Sequence, residues 1–563
     1  MVRKRFSPRL ISLISLLVMF VFSACAAPAA SPARDAAASQ PTYHAPTAME
    51  APAAEESAAS AESAAESATD GIPPQPPSAM FFDNYGVNGF VDASQDNLST
   101  FGVDVDTGSY TVMRSYITDG WLPPADAVRV EEFVNYFDYD YPLPSRDETF
   151  TIVADAAPSP FTDRPTRRIM RVGIQGYDVP ADQRRDVALT FIIDVSGSMD
   201  YENRLGLVKR GLTLLTEQLR PTDSVAIVVY GTNARLVLPM TPLGEKDAVL
   251  NAIRSLHAEG STNAEAGLLV GYRHAWENFR PEANNRIVLA SDGVANVGVV
   301  DPNGILRTIQ EYAGQDLTLT TVGFGMGNYN DVLMEQLADN GDGFYAYVDT
   351  IDEARKLFVE DLAGTIETIA MDARVQVEFN PAAVAGYRLV GYENRDMADD
   401  DFRNDEKDAG EIGSGHNVTA LYELELRGPE DEAVVLSVDD HATGDESAAF
   451  GDGVLAVVRF RWRDPRSGQV TELAHELTGA EMAGAFPQAD PGFQLAVAAG
   501  AYADVLRQSP WAVGLTPGEI LPVAEEARFA LTAAGRDRDE VTELVDLIWS
   551  ADEMWSRARG STE

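Results

Sequence analysis

The sequence predicts an α/β protein: a mostly parallel sheet between helices, flanked by a β-rich, sandwich-like domain and C-terminal helices. Three observations carry this expectation. Between 187 and about 362, short continuously apolar runs alternate with amphipathic helical patterns, the signature of parallel strands covered on both faces. After Met371 the texture changes to apolar–polar alternation with a period of two, broken by turn residues. At Asp490-Pro491 a capped helix start opens a helical end.

The chain has 563 residues, enough for roughly three domains, and its 45% hydrophobic content supplies material for a core. A formal charge of −45 argues against nucleic acid and against docking on anionic lipid. Residues 1–24 read as an export signal, with Arg3, Lys4, Arg5 and Arg9 ahead of an apolar run over 10–22. That run is short for a membrane span. The only cysteine, Cys25, follows Phe22-Ser-Ala. This resembles a bacterial lipoprotein signal. The resemblance implies lipidation at Cys25 and a bacterial cell-envelope location, exported and lipid-anchored. No cysteine is left for disulfides, so packing alone must hold the domains together. Residues 25–80 are mostly Ala, Ser, Pro and Glu and read as a disordered tether. Fully extended at about 3.3 Å per residue, it would reach well over about 100 Å.

Residues 81–185 form an N-terminal extension with strands. The stretch 99–114 alternates and then turns helical, 128–137 has helical spacing, and 149–176 holds two strand-like runs. Asp106-Thr-Gly-Ser109 spells the loop of an aspartic protease. That chemistry needs two carboxylates sharing a proton, and no second Asp-Thr-Gly or Asp-Ser-Gly occurs. The motif reads instead as a polar turn closing a strand.

The α/β run occupies 186–369. Strands are expected at 187–194, 224–231, 234–240, 286–291, 317–325 and 343–349. Helices are expected after Asp200, at 246–256, 263–279, 305–312 and 330–338, with a last one running to about 369. Gly323-Phe-Gly325-Met-Gly327 has the wrong spacing for a dinucleotide turn. The β-rich domain spans 370–482, with strands at 373–380, 387–393, 418–426, 433–439 and 454–463. Between them the acidic stretch 395–415 reads as a mobile loop. Strands lie both before and after the α/β run, so the two sets are expected to pair into one sandwich with that run inserted. Residues 483–563 form a C-terminal helical region, with helices over 492–507 and from about 540.

The chemistry concentrates at Phe191–Asp200, FIIDVSGSMD. A buried strand ends there with Asp194, Ser196 and Ser198 spaced i, i+2, i+4. In α/β sheets the carboxyl edge of the strands faces the ligand crevice, and oxygen-only groups suit a hard divalent cation. Gly260-Ser-Thr262-Asn263 offers a hydroxyl on a tight loop, and Ser291-Asp292-Gly293 a carboxylate at another strand end. These five positions, Asp194, Ser196, Ser198, Thr262 and Asp292, resemble the metal-ion-dependent adhesion site of the von Willebrand factor type A domain, a Rossmann-like fold. The blocks DVDTGSY, VRVEEFVNYFDYDYP, MEQLAD and YAYVDT extend the likeness to bacterial type A lipoproteins with an N-terminal extension and a C-terminal region of unassigned function.

The resemblance implies that the serines and threonine coordinate Mg²⁺ (or Mn²⁺) directly while the aspartates often act through water. An open coordination position would then take an acidic residue of a protein partner. The expectation is a membrane-anchored, cell-envelope binding protein and not an enzyme. An accessory subunit of a larger envelope or metal-insertion assembly is the alternative. A hydrolase is disfavoured because no His or Glu motif supplies a general base beside the proposed ion.

Overall fold

The computed structural model describes residues 80–560, apart from 146–147, 181, 294–301, 314, 326–329, 362–365, 408, 429–449 and 452. The export signal, Cys25, nearly all of the tether, the expected 433–439 strand, and residues 326 and 327 of the glycine turn lie outside the described residues. Among those described, no helix is long and apolar enough to cross a membrane.

In chain order the strands begin with β1 (Val91–Asp92), β2 (Leu98–Gly102), β3 (Phe150–Pro158) and β4 (Arg167–Gly176). The α/β run follows with β5 (Asp186–Asp194), β6 (Ser224–Tyr230), β7 (Ala234–Pro242), β8 (Ala283–Ser291), β9 (Leu317–Phe324) and β10 (Tyr345–Val348). Then come β11 (Thr368–Phe379), β12 (Val384–Val390), β13 (Asp396–Met397), β14 (Gly410–Gly413), β15 (Asn417–Leu426), β16 (Val454–Arg463) and β17 (Val470–Thr478).

The α/β run builds one sheet in the order β10-β9-β8-β5-β6-β7. All neighbours are parallel except β7, which lies antiparallel on β6 at the edge. Central β5 has no polar surface to spare: Val187, Leu189, Phe191, Ile192 and Ile193 are all fully buried. A strand covered on both faces carries apolar residues in both registers, which is why it reads as a continuous run.

The remaining strands form two antiparallel sheets, β1-β12-β15-β4-β3 and β13-β2-β11-β16-β17, the second with β14 also on β11. β15 pairs β4 from Asn417↔Gln175 to Glu425↔Arg167, so chain before the α/β run hydrogen-bonds to chain after it. One core joins the two sheets: Met170, Val172, Ile174 and Tyr422 from one face Val375, Val377, Phe379 and Phe460 from the other. Phe150 bridges them, its ring 4.9 Å from both Phe460 and Trp462. The α/β domain is thus an insertion into a β-sandwich, entered after β4 and left before β11.

Three details differ from the sequence expectation. The end of the insert is broken up: Ile351–Arg355 is followed by a π turn at Lys356–Glu360, Ile366 is helical, and Thr368 already belongs to β11. The acidic stretch 395–415 is ordered, because the polar face of β11 organises it. Arg374 donates from Nη1 to the carbonyls of Asp401 and Asn404, both at 2.9 Å, and from Nη2 to that of Lys407 at 2.8 Å. A buried guanidinium with carbonyl acceptors orders backbone that composition alone marks as loop. The helix Pro517–Ala533 was not expected. Its signal is the capping box Thr516/Glu519 with proline at the first turn.

Two more helices complete the C-terminal layer, Pro491–Leu506 and Asp539–Gly560. The first is buried along almost its whole length. Its Ala and Gly residues let it press on the sandwich, and a Cβ at Gly500 would come within 2.7 Å of Leu421 Cδ1.

Candidate metal centre

β5 ends at Asp194, on the carboxyl edge of the inserted sheet. The chain then turns through Ser196 into a 3₁₀ segment, Gly197–Asn203, and the helix Arg204–Gln218. Asp194 is fully buried and its two oxygens are used separately. Oδ1 accepts the Ser196 N–H at 2.8 Å, and Oδ2 accepts the Ser291 hydroxyl at 3.0 Å. The hydroxyls of Ser196 and Ser198 lie 3.0 Å apart. Ser196 is buried and Ser198 half-buried, so the pair faces outward from the strand end.

Thr262 arrives on a loop tied down by backbone hydrogen bonds. Glu259 N–H donates to Val195 O at 2.5 Å, Gly197 N–H to Gly260 O at 3.1 Å, and Asn263 N–H to Gly231 O at 3.0 Å. This lays residues 259–263 across the ends of β5 and β6. The fit needs glycine twice. Gly260 has φ +77°, and a Cβ there would overlap the Thr232 hydroxyl; a Cβ on Gly231 would overlap the Glu259 carbonyl. Asn263 then caps the helix Ala264–Glu277 by accepting from Ala266 N–H at 3.0 Å. Asp292 follows the last residue of β8, the strand beside β5.

Two partners escaped the sequence reading. Ser291 holds Asp194 in place. Its signal is register: Ile193 pairs with Ala290, so Asp194 and Ser291 come side by side once the two strands are aligned. Arg204 is the other. Its Nη1 donates to Asp292 Oδ2 at 2.8 Å, with both side chains nearly buried. Gly325, at φ +78°, leaves the space through which the Arg204 side chain passes.

The donor set fits a hard cation. The hydrogen bonds that Asp194 accepts from the Ser196 N–H and the Ser291 hydroxyl come from neutral groups, which do not balance an ionised carboxylate. Burial above all, with Asp292 adding to it, pushes the Asp194 carboxyl up to about 6. Among the described residues no group of three or more His, Cys, Asp or Glu side chains gathers to hold a metal. A cation here would rely on the Ser196, Ser198 and Thr262 hydroxyls and at most two carboxylates, an all-oxygen shell suited to Mg²⁺. Arg204 sets a positive charge beside the same centre. Arg204→Met is expected to tighten Mg²⁺ binding by roughly tenfold, since a like charge a few Å away opposes the ion. Calorimetric titration of Mg²⁺ into both proteins checks this.

Asp106, of the protease-like motif, is buried, and its Oδ1 accepts the Tyr345 N–H at 2.8 Å. It helps join the extension to β10.

Comparison with known proteins agrees with this architecture. The von Willebrand factor type A domain family matches residues 188–360, a family described as von Willebrand factor matches 77–171, and the C-terminal family of the uncharacterized protein YfbK matches 364–553. Uncharacterized protein YfbK of Escherichia coli (strain K12) is 37% identical over 462 residues, covering 80% of this chain and 78% of that protein. Inter-alpha-trypsin inhibitor heavy chain H1 of Sus scrofa is 28% identical over 178 residues, 30% of this chain and 20% of that one. Among solved structures, a von Willebrand factor type A protein from Catenulispora acidiphila is 17% identical, with a TM-score of 0.40, over 72% of this chain and 91% of that chain. The identity and coverage shared with the Escherichia coli protein place the chain in its family: it belongs with YfbK among proteins built around a von Willebrand factor type A domain.

Proposed function

We propose that this chain is a membrane-anchored, cell-envelope binding protein whose type A domain uses Mg²⁺ to grip an acidic residue of a protein partner. The observation that carries the reading is Asp194: a fully buried carboxylate, held only by neutral donors, at a strand end beside two hydroxyls 3.0 Å apart. Ser196, Ser198 and Thr262 would hold the ion, with Asp194 and Asp292 completing the shell. Asp194 also orients Ser196 through its backbone N–H. Bound Mg²⁺ would supply an electrophilic coordination position for a carboxylate from another molecule.

Type A domains make protein interactions a natural role for the insert, and they often bind a divalent metal at this site. The partner, the identity of the ion and the anchoring through Cys25 are part of the proposal. Cross-linking capture from native membranes, run with Mg²⁺ and with chelator, tests the first part. Partners are expected with Mg²⁺ and lost with chelator; the same partners in both arms would overturn metal-dependent binding. The anchor is tested by fractionation, where Cys25→Ser is expected to move the protein from the membrane to the soluble fraction.

A further inference from the structure

A second concave site lies on the sandwich, bordered by none of the five candidate metal ligands. It sits between the helix-covered face of the five-stranded sheet and the helix Pro491–Leu506 with the loop after it. Its volume is about 630 Å³, within the roughly 300–1,000 Å³ range of small-molecule pockets. Phe90, Phe161, Leu421, Val497 and Trp511 give it apolar and aromatic walls. On the helix, the short side chain of Ala501 borders the space.

The polar part of the lining has one sign in excess. Arg388, only 1% exposed, projects from β12. Its Nε donates to Glu423 at 3.0 Å and its Nη2 to Asp504 at 2.8 Å, while Nη1 is buried without a hydrogen-bond partner. Buried guanidinium N–H groups almost always find an acceptor, so an unused one points to an acceptor that comes from elsewhere. The Trp511 ring lies 5.8 Å from this guanidinium. That indole is 44% exposed, is packed edge-on to Phe90 at 5.0 Å, and donates from Nε1 to Asn88 O at 2.9 Å. Arg164 stands exposed on the same lining, and Arg167 covers the Phe90 ring at 4.2 Å. Three arginines and two carboxylates line one cavity of mixed polar and apolar walls, Arg167 being paired with Glu425 at 3.1 Å, in a chain of formal charge −45.

We propose that this cavity binds a small amphiphilic carboxylate, its aliphatic or aromatic body against Leu421, Val497 and the aromatic walls and its anionic head toward Arg388. Glu423 and Asp504 already occupy two sides of that guanidinium, leaving Nη1 as its one nitrogen without a partner. This selects a monoanion over a phosphate-like dianion, whose second charge would face those carboxylates. The apolar body supplies affinity and the arginine supplies the choice of head group.

The test uses the folded chain and three probes with the same twelve-carbon tail below their micellar concentrations: dodecanoate, dodecanol and dodecyltrimethylammonium. Binding is read by displacement of the fluorescent anion 1-anilinonaphthalene-8-sulfonate and by calorimetry. Dodecanoate is expected to bind at least about tenfold more tightly than the trimethylammonium probe. Arg388→Met should erase that preference, bringing the dodecanoate and trimethylammonium affinities to within about twofold of each other. Ala501→Phe, which fills the cavity without touching an ion pair, should remove binding of dodecanoate and dodecanol alike; thermal melts confirm that each variant is folded. Equal affinity for the anionic and cationic probes overturns the proposal. So does dodecanoate binding that survives Ala501→Phe, or no dodecanoate binding at all.

Discussion

Asp194→Ala is expected to abolish Mg²⁺ binding, and the stabilisation that comes with it, while leaving the metal-free protein about as stable as before. Two opposing terms decide the second half. Removing the carboxylate strands the Ser196 N–H and the Ser291 hydroxyl, a loss of about 1–3 kcal/mol for buried donors left unmade. Against this, the Asp194 carboxyl is raised from 3.8 to about 6 by burial, so its ionised form burdens the fold near neutral pH. A raised folded-state pKa means that the native protein holds the proton more tightly than the unfolded chain. The penalty is absent below the unfolded value and fully developed once pH passes the folded one. A shift of about two units corresponds to about 3 kcal/mol, similar in size to the hydrogen-bond loss and opposite in sign. With metal the balance changes: a ligand at a hundredfold excess over its Kd adds about 2.7 kcal/mol to wild type and nothing to a variant that cannot bind it. Thermal melts with and without Mg²⁺ should therefore diverge for wild type and coincide for Asp194→Ala. A variant that melts far below metal-free wild type would assign Asp194 a structural role instead.

Arg129→Met should destabilise the whole ordered body by about 3–5 kcal/mol at about pH 8, because it strips the cation from a buried carboxylate cluster. Arg129 lies just before the short helix Val130–Val134 and is 5% exposed. It pairs with Glu132, with Asp331 at 2.6 Å and with Glu335 at 3.7 Å. The last two belong to the helix Asp331–Asp339 of the insert, so this guanidinium joins sandwich and insert. Nearby, Arg395 reaches Asp104 at 3.2 Å and Asp339 at 3.0 Å. Burial raises the carboxyls of Glu131, Glu132 and Glu335; Arg129 lowers the last two without cancelling the effect. These groups hold protons more tightly folded than unfolded. Their contribution is fully present below the ordinary carboxyl range and is lost as pH rises through the raised values. The cost of Arg129→Met should accordingly be smaller at about pH 5, where protons replace the missing cation, than at about pH 8. Adding Glu132→Gln should recover part of the loss. Urea unfolding of the three proteins at both pH values measures this; a pH-independent loss would mean that packing of the arginine stem, not charge, ties the two parts.

Much of the inserted sheet was legible from the chain alone. A strand buried on both faces must be apolar in both registers, as 187–194 and 224–231 are, and the helix between them shows its core stripe at Leu205, Val208, Leu212 and Leu215. The five candidate ligands were legible for a related reason. Each sits at a strand end or in a glycine-marked turn, where local geometry and residue type are tied together. Pro522 interrupts the helical pattern of Pro517–Ala533, although the capping box at Thr516 announces that helix. The order within 395–415 could not be read from its acidic composition, because what holds it is an arginine on β11.

What the sequence by itself determined is therefore local: where strands and helices form, where the chain turns, and which oxygen-bearing side chains stand at the strand ends. Tertiary structure decided what depends on segments distant in the chain. Pairing of Gln175 with Asn417 makes one sandwich of two separated strand sets. Alignment of β5 with β8 brings Ser291 to Asp194, and the course of the Arg204–Gln218 helix brings Arg204 to Asp292. The cavity around Arg388 takes its walls from Phe90 to Leu515 and exists only once the C-terminal helices have closed over the sheet. Hydrophobic periodicity repeats within a few residues and so is written along the chain. Ion pairs and cavities depend on which faces meet, and that is fixed by packing.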